Sequence, residues 1–165
     1  MRILIGGVGN VLRGDDGFGI EALRVLQQKI DIPAVEFFES GIAGISLVQR
    51  LMDRFDALII VDALDHGGAP GQVYVLQTEL ELLGNSANND TVDLHQADPE
   101  GVLRLANALK ALPKHVWIVG CQAVGCDDLG APLSEPVAHA VPIVADHVRE
   151  IVKNLIAAPT CYVTG

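Results

Sequence analysis

Residues 1–19, MRILIGGVGNVLRGDDGFG, set the architecture of the chain. Ile3, Leu4 and Ile5 form an unbroken apolar run, the pattern of a strand buried on both faces in a parallel sheet. Gly6, Gly7 and Gly9 break the run, and Gly14-Asp15-Asp16 leads into a helical pattern that opens near Gly17. The stretch is therefore strand, glycine turn and helix start, with an acidic pair at the turn. Ligands of open α/β sheets bind outside the carboxyl ends of the strands, where this turn falls. A helix cap explains one Asp. A second carboxylate beside it must spread away, protonate or share a cation, so the pair is a candidate for a metal or a cationic group.

Further along, Ile20, Leu23, Val25, Leu26 and Ile30 recur at helical spacing and predict an amphipathic helix over residues 17–29, stopped by Ile32-Pro33. Residues 34–38 read as a strand, followed by the flexible turn Glu39-Ser40-Gly41-Ile42-Ala43-Gly44 and a short helix over 46–52. The clearest buried strand is FDALIIVD at 55–62, which ends in the carboxylate Asp62. Pro70-Gly71 turns into a strand over 72–77, expected to run antiparallel at a sheet edge. Residues 84–98, GNSANNDTVDLHQAD, are the most polar of the chain and predict a long functional loop carrying His95. Pro99 opens a helix to about residue 111, residues 116–119 form the last short strand, and 120–129 read as a loop. A final helix follows Pro132-Leu133-Ser134-Glu135, is kinked or divided at Pro142, and gives way to an irregular tail after Pro159. The alternation predicts one three-layer α/β/α domain over residues 1–165, with a mostly parallel sheet of about five strands. Right-handed crossovers then bring Asp16, Glu39 and Asp62 to one sheet edge.

Composition narrows the function. Half of the residues are hydrophobic and only 4% aromatic, which suits helices packed closely on a sheet. The formal charge of -10, with no basic cluster, argues against nucleic acid as a partner. No apolar run approaches the roughly 20 residues needed to span a bilayer, and Arg2 precedes too short a run for a signal peptide, so the expected location is the cytoplasm. Cys121, Cys126 and Cys161 form an odd set and are expected as reduced thiols, with no second pair to make Cys121 and Cys126 metal ligands.

Gly7-Val8-Gly9 begins like a dinucleotide fingerprint but lacks its third glycine, Leu12 standing there, and carboxylates occupy the place of a pyrophosphate. Asp62 alone reads as a turn residue; on the same edge as Asp16 it becomes a second oxygen ligand, and with an imidazole the set suits nickel or zinc. His95 in its polar loop is the candidate imidazole, and His66, four residues beyond Asp62, competes with it. No G-x-S-x-G elbow, H-E-x-x-H helix or P-loop is present, and Ser40 and Cys121 lack an evident His partner, which disfavours a covalent mechanism.

Gly7-Val8-Gly9-Asn10-Val11-Leu12 with Asp15-Asp16-Gly17-Phe18-Gly19, then Leu58-Ile59-Ile60-Val61-Asp62-Ala63, then Leu94-His95-Gln96, together resemble the peptidases that mature the large subunit of [NiFe] hydrogenases. The resemblance implies a cytoplasmic endopeptidase, monomeric when free, that removes the C-terminal extension of a nickel-loaded precursor. It carries the metal contacts onto Asp16, Asp62 and His95, with nickel supplied by the precursor, and makes Glu39, Gly41 and Gly44 candidates for substrate binding. Some members of the family have Glu where this chain has Asp16, and the segment starting at Glu39 often begins Asp-Gly-Gly in the family. The alternatives are a noncatalytic, nickel-dependent chaperone of the precursor and a nucleotide-binding α/β module.

Overall fold

Ile3, Leu4 and Ile5 are fully buried because their strand, β1 (Ile3–Val8), lies between two others and beneath helices on both faces. The computed structural model describes residues 1–41, 44–78, 99–125 and 128–157. After β1 come a 3₁₀ turn (Gly14–Gly17), α1 (Phe18–Lys29), β2 (Val35–Gly41), α2 (Gly44–Leu51), β3 (Ala57–Leu64) and β4 (Val73–Thr78). They are followed by α3 (Pro99–Ala108), β5 (His115–Gln122) and α4 (Glu135–Ala157). The sheet order is β2-β1-β3-β5-β4; β1, β2, β3 and β5 are parallel, and β4 is the antiparallel edge strand that the sequence predicts.

Strand alternation divides the core in two. Ile3, Ile5, Ile59 and Val61 face α1 and α4, where Phe18, Leu23, Val144 and Val148 cover them. Leu4, Leu58 and Ile60 face the opposite way, under Leu47 and Leu51 of α2 and Val102 and Leu103 of α3. The result is the expected three-layer arrangement. Among the described residues no helix is long and apolar enough to cross a membrane.

Several boundaries move, each for a physical reason. The predicted loop at Gly120-Cys121-Gln122 is strand: Cys121 pairs with Ala63 on one side and Val73 on the other, so β5 continues to Gln122. The third helix stops at Ala108 rather than near residue 111, because Lys110 takes a left-handed conformation (φ 55°) and the Ala111 N–H donates back to the Ala106 carbonyl at 2.9 Å. Pro142 does not divide the last helix, which is continuous over Glu135–Ala157. Its ring sits on an exposed face, clear of the sheet.

The amino edge of the sheet is closed by paired charge. Arg2 donates to Glu36 at 2.7 Å and lies over the Phe55 ring at 4.5 Å, while Arg50 pairs with Glu36 and Asp53.

Candidate active site at the carboxyl edge of the sheet

The chain leaves β1 through Gly9, at φ 124°, where a Cβ would overlap the carbonyl oxygen of Asp16. The Asn10 N–H donates to that carbonyl at 3.1 Å and to the Asp16 carboxylate at 3.2 Å, folding the 3₁₀ turn back onto the strand end. Ten residues on from Gly9, Gly19 lets the first turn of α1 rest on the backbone oxygens of Val8 and Val61, between β1 and β3. These close backbone contacts leave no room for a Cβ at either position, so glycine is required at both.

The acidic pair separates in role. Asp15 is buried, 1% exposed, and accepts three hydrogen bonds: from the Val124 N–H at 3.0 Å, the Ser134 N–H at 2.7 Å and the Ser134 hydroxyl at 2.9 Å. It does not cap its own helix, whose N-cap Gly17 makes no side-chain hydrogen bond. It instead ties the turn to the residue ahead of α4, across 119 positions of sequence. Asp16 is exposed. The turn that carries it lies against β3, whose carboxyl end holds Asp62, 5% exposed and in register with Gly120. By alternation Asp62 shares the face of Leu58 and Ile60, the side covered by α2 and α3.

The other candidates sort by position. Glu39 is on the outer strand β2, on the far side of β1 from Asp62, with its carboxylate 3.6 Å from Arg24 of α1. Gly41 ends β2 and Gly44 begins α2. His95 lies outside the described residues, as do Cys126 and Cys161. Among the described residues no group of three His, Cys, Asp or Glu side chains converges on one point. The His66 ring packs edge-on against Tyr74, centroids 5.1 Å apart, in the connection between β3 and β4.

Neither nucleophile candidate is poised for attack. Cys121 is fully buried, and burial, followed by the negative charge of Asp15, pushes its thiol up to about 11. Ser40 is buried and shares a hydroxyl contact of 3.3 Å with Ser46, which also donates to the Ser40 carbonyl at 3.1 Å.

Two residues escaped the sequence reading. Gln122 is buried, accepts the N–H groups of His66 (2.8 Å) and Gly68 (3.2 Å), and donates to Asp65 (3.1 Å) and the Ala123 carbonyl (3.3 Å). It thereby fixes the loop that follows Asp62 and, with the Gly67 N–H, holds the Asp65 carboxyl below its usual range. Ser134 is the other; a Ser before Glu135-Pro136 is a legible N-cap signal, but nothing local announces Asp15 as its acceptor.

An open sheet of order 2-1-3-5-4, with a buried Asp15 and an exposed Asp16 on the turn that leaves β1 and lies against β3, defines an α/β protein with its site at the topological switch point. Residues 20–151 match the family model described as hydrogenase maturation protease. The chain is 30% identical over 165 residues to the hydrogenase expression/formation protein HupD of Rhizobium leguminosarum bv. viciae, covering 99% of this chain and 80% of the relative. It is 34% identical over 137 residues to HupD of Bradyrhizobium diazoefficiens, covering 82% and 70%. The solved hydrogenase maturating endopeptidase HybD from E. coli superposes with a TM-score of 0.75 at 27% identity, over 94% of each chain. This chain belongs to the hydrogenase maturation protease family, and is thus a hydrolase of the endopeptidase kind.

Proposed function

We propose that this chain removes the C-terminal extension of a [NiFe] hydrogenase large-subunit precursor, and that Asp16, Asp62 and His95 engage nickel carried by that precursor. The observation that supports this most is the position of the exposed residue Asp16, on a turn that lies against β3, the strand that holds Asp62, and that Asp15 ties to Ser134. Two carboxylates are hard oxygen donors suited to a divalent cation. His95 precedes Pro99 by four residues, and α3, which begins there, packs on the face that Asp62 shares. The precursor's ion is the checkpoint: Asp16, Asp62 and His95 would hold it so that only a loaded substrate is seated, and an ion held there could also supply Lewis acidity, a role separate from recognition. Glu39, Gly41 and Gly44, at the ends of β2 and α2, line the route of the peptide. The enzyme works in the cytoplasm as a monomer.

The test is processing of purified precursor, with and without nickel, by the wild-type chain and by Asp16→Asn, Asp62→Asn and His95→Ala. Cleavage is expected only of the loaded precursor and to slow on the order of 100-fold or more in each variant. Undiminished cleavage by all three variants removes the site assignment. Mass spectrometry of the released peptide separates hydrolysis from a chaperone that binds and cuts nothing.

A further inference from the structure

Beside Asp16 the surface carries a collar of exposed apolar side chains. Val11 is 43% exposed, Leu12 61%, Val124 50% and Leu129 77%. The first two lie in the connection from β1 to the 3₁₀ turn, the other two in the connection from β5 to α4. These connections are tied together. The Gly130 N–H donates to the Leu12 carbonyl at 2.8 Å, and the Val124 N–H donates to the buried Asp15 carboxylate at 3.0 Å. The apolar side chains therefore stand on backbone already pinned in place, so a ligand that covers them has little ordering cost to meet.

Resting on the function proposed above, we infer that this collar docks apolar side chains of the precursor that flank the bond to be cut. It borders Asp16: the Leu12 N–H donates to the Asn10 side chain, whose own N–H donates to the Asp16 carboxylate, so a segment seated on the collar runs past Asp16. A second copy of the chain is the poorer occupant, since two molecules of formal charge -10 repel. An apolar contact also leaves a distinct signature, since its strength does not fall as salt screens surface charge.

The experiment measures KM and kcat on nickel-loaded precursor for the full wild-type chain, for Leu12→Ser combined with Leu129→Ser, and for Met52→Ser. Met52 is an equally exposed apolar residue, 61%, just beyond α2 and ahead of β3, at the opposite edge of the sheet. The paired serine variant is expected to raise KM about tenfold, at low and high salt alike, with the loss carried by KM rather than kcat. Leu12→Met with Leu129→Met, which keeps apolar volume, should recover most of that loss, and Met52→Ser should match wild type. A KM increase below about threefold, a loss confined to kcat, or an equal effect of Met52→Ser overturns the collar. If the double variant melts early, Leu129→Ser, at the most exposed position, is read in its place. Failure of the wild-type chain to cut loaded precursor overturns the function and the collar together; normal cutting with unchanged KM in the serine variants overturns the collar alone.

Discussion

Asp15 and Asp16 are neighbours in sequence and opposites in role. Replacing Asp15 by Asn turns an NH₂ group toward the N–H and O–H donors whose bonds the carboxylate now accepts, at a side chain that is buried. A loss of about 1–3 kcal/mol of stability is expected. Asp16→Asn, on the exposed side of the turn, should stay within about 0.5 kcal/mol of wild type while losing processing. Urea denaturation of both variants checks this, and equal destabilisation would remove the distinction. Cys121 supplies a pH test. Its folded thiol, pushed up to about 11, lies above the ordinary 9.0, so the folded state holds the proton more tightly. The associated stability is complete below about pH 9 and is lost as the pH rises toward about 11. Comparing wild type and Cys121→Ala by urea denaturation at about pH 8 and about pH 11 should show a shallower decline in the variant; parallel declines would exclude Cys121 as a contributor.

Among the elements, α4 is the one whose local sequence works against it. Pro142 is the eighth residue of a continuous 23-residue helix, lacks the N–H that would bond to the Ala138 carbonyl, and crowds that oxygen. The helix persists because Val137, Val141, Val144, Val148 and Ile151 bury one face against α1 and the sheet. Since Pro142 itself is exposed, Pro142→Ala should raise stability by about 1–2 kcal/mol, seen as a higher urea midpoint. A lower midpoint would mean that the proline bend fits α4 to the sheet. β5 shows the complementary case. From one strand's sequence Gly120-Cys121-Gln122 looks like a loop; only partners on both sides, β3 and β4, make it strand.

At the scale of the whole molecule, the two cores lie on opposite faces of one sheet and share its strands, so neither can open without disturbing the other. Trp117, the single tryptophan, is on β5 between β3 and β4 and reports on the sheet, whereas far-UV circular dichroism reports mainly on the helices. Chemical unfolding followed by the two signals should coincide. Separate midpoints would show that one helical layer detaches before the sheet opens.

The three layers, the mostly parallel sheet and a carboxylate, Asp62, near the end of β3 were legible in the sequence alone, because burial on both faces and helical periodicity write themselves locally as apolar runs and repeats. The antiparallel run of the exposed strand β4, by contrast, was fixed by its pairing with β5. The division of labour within Asp15-Asp16 was not legible either, since the donors that claim Asp15 come from Val124 and Ser134, more than a hundred residues away. The amide of Gln122 that braces the loop after Asp62, and the pairing that extends β5, were likewise settled only in three dimensions. A hydrogen bond needs two groups brought together, and where those groups are distant in the chain only the folded backbone specifies that they meet.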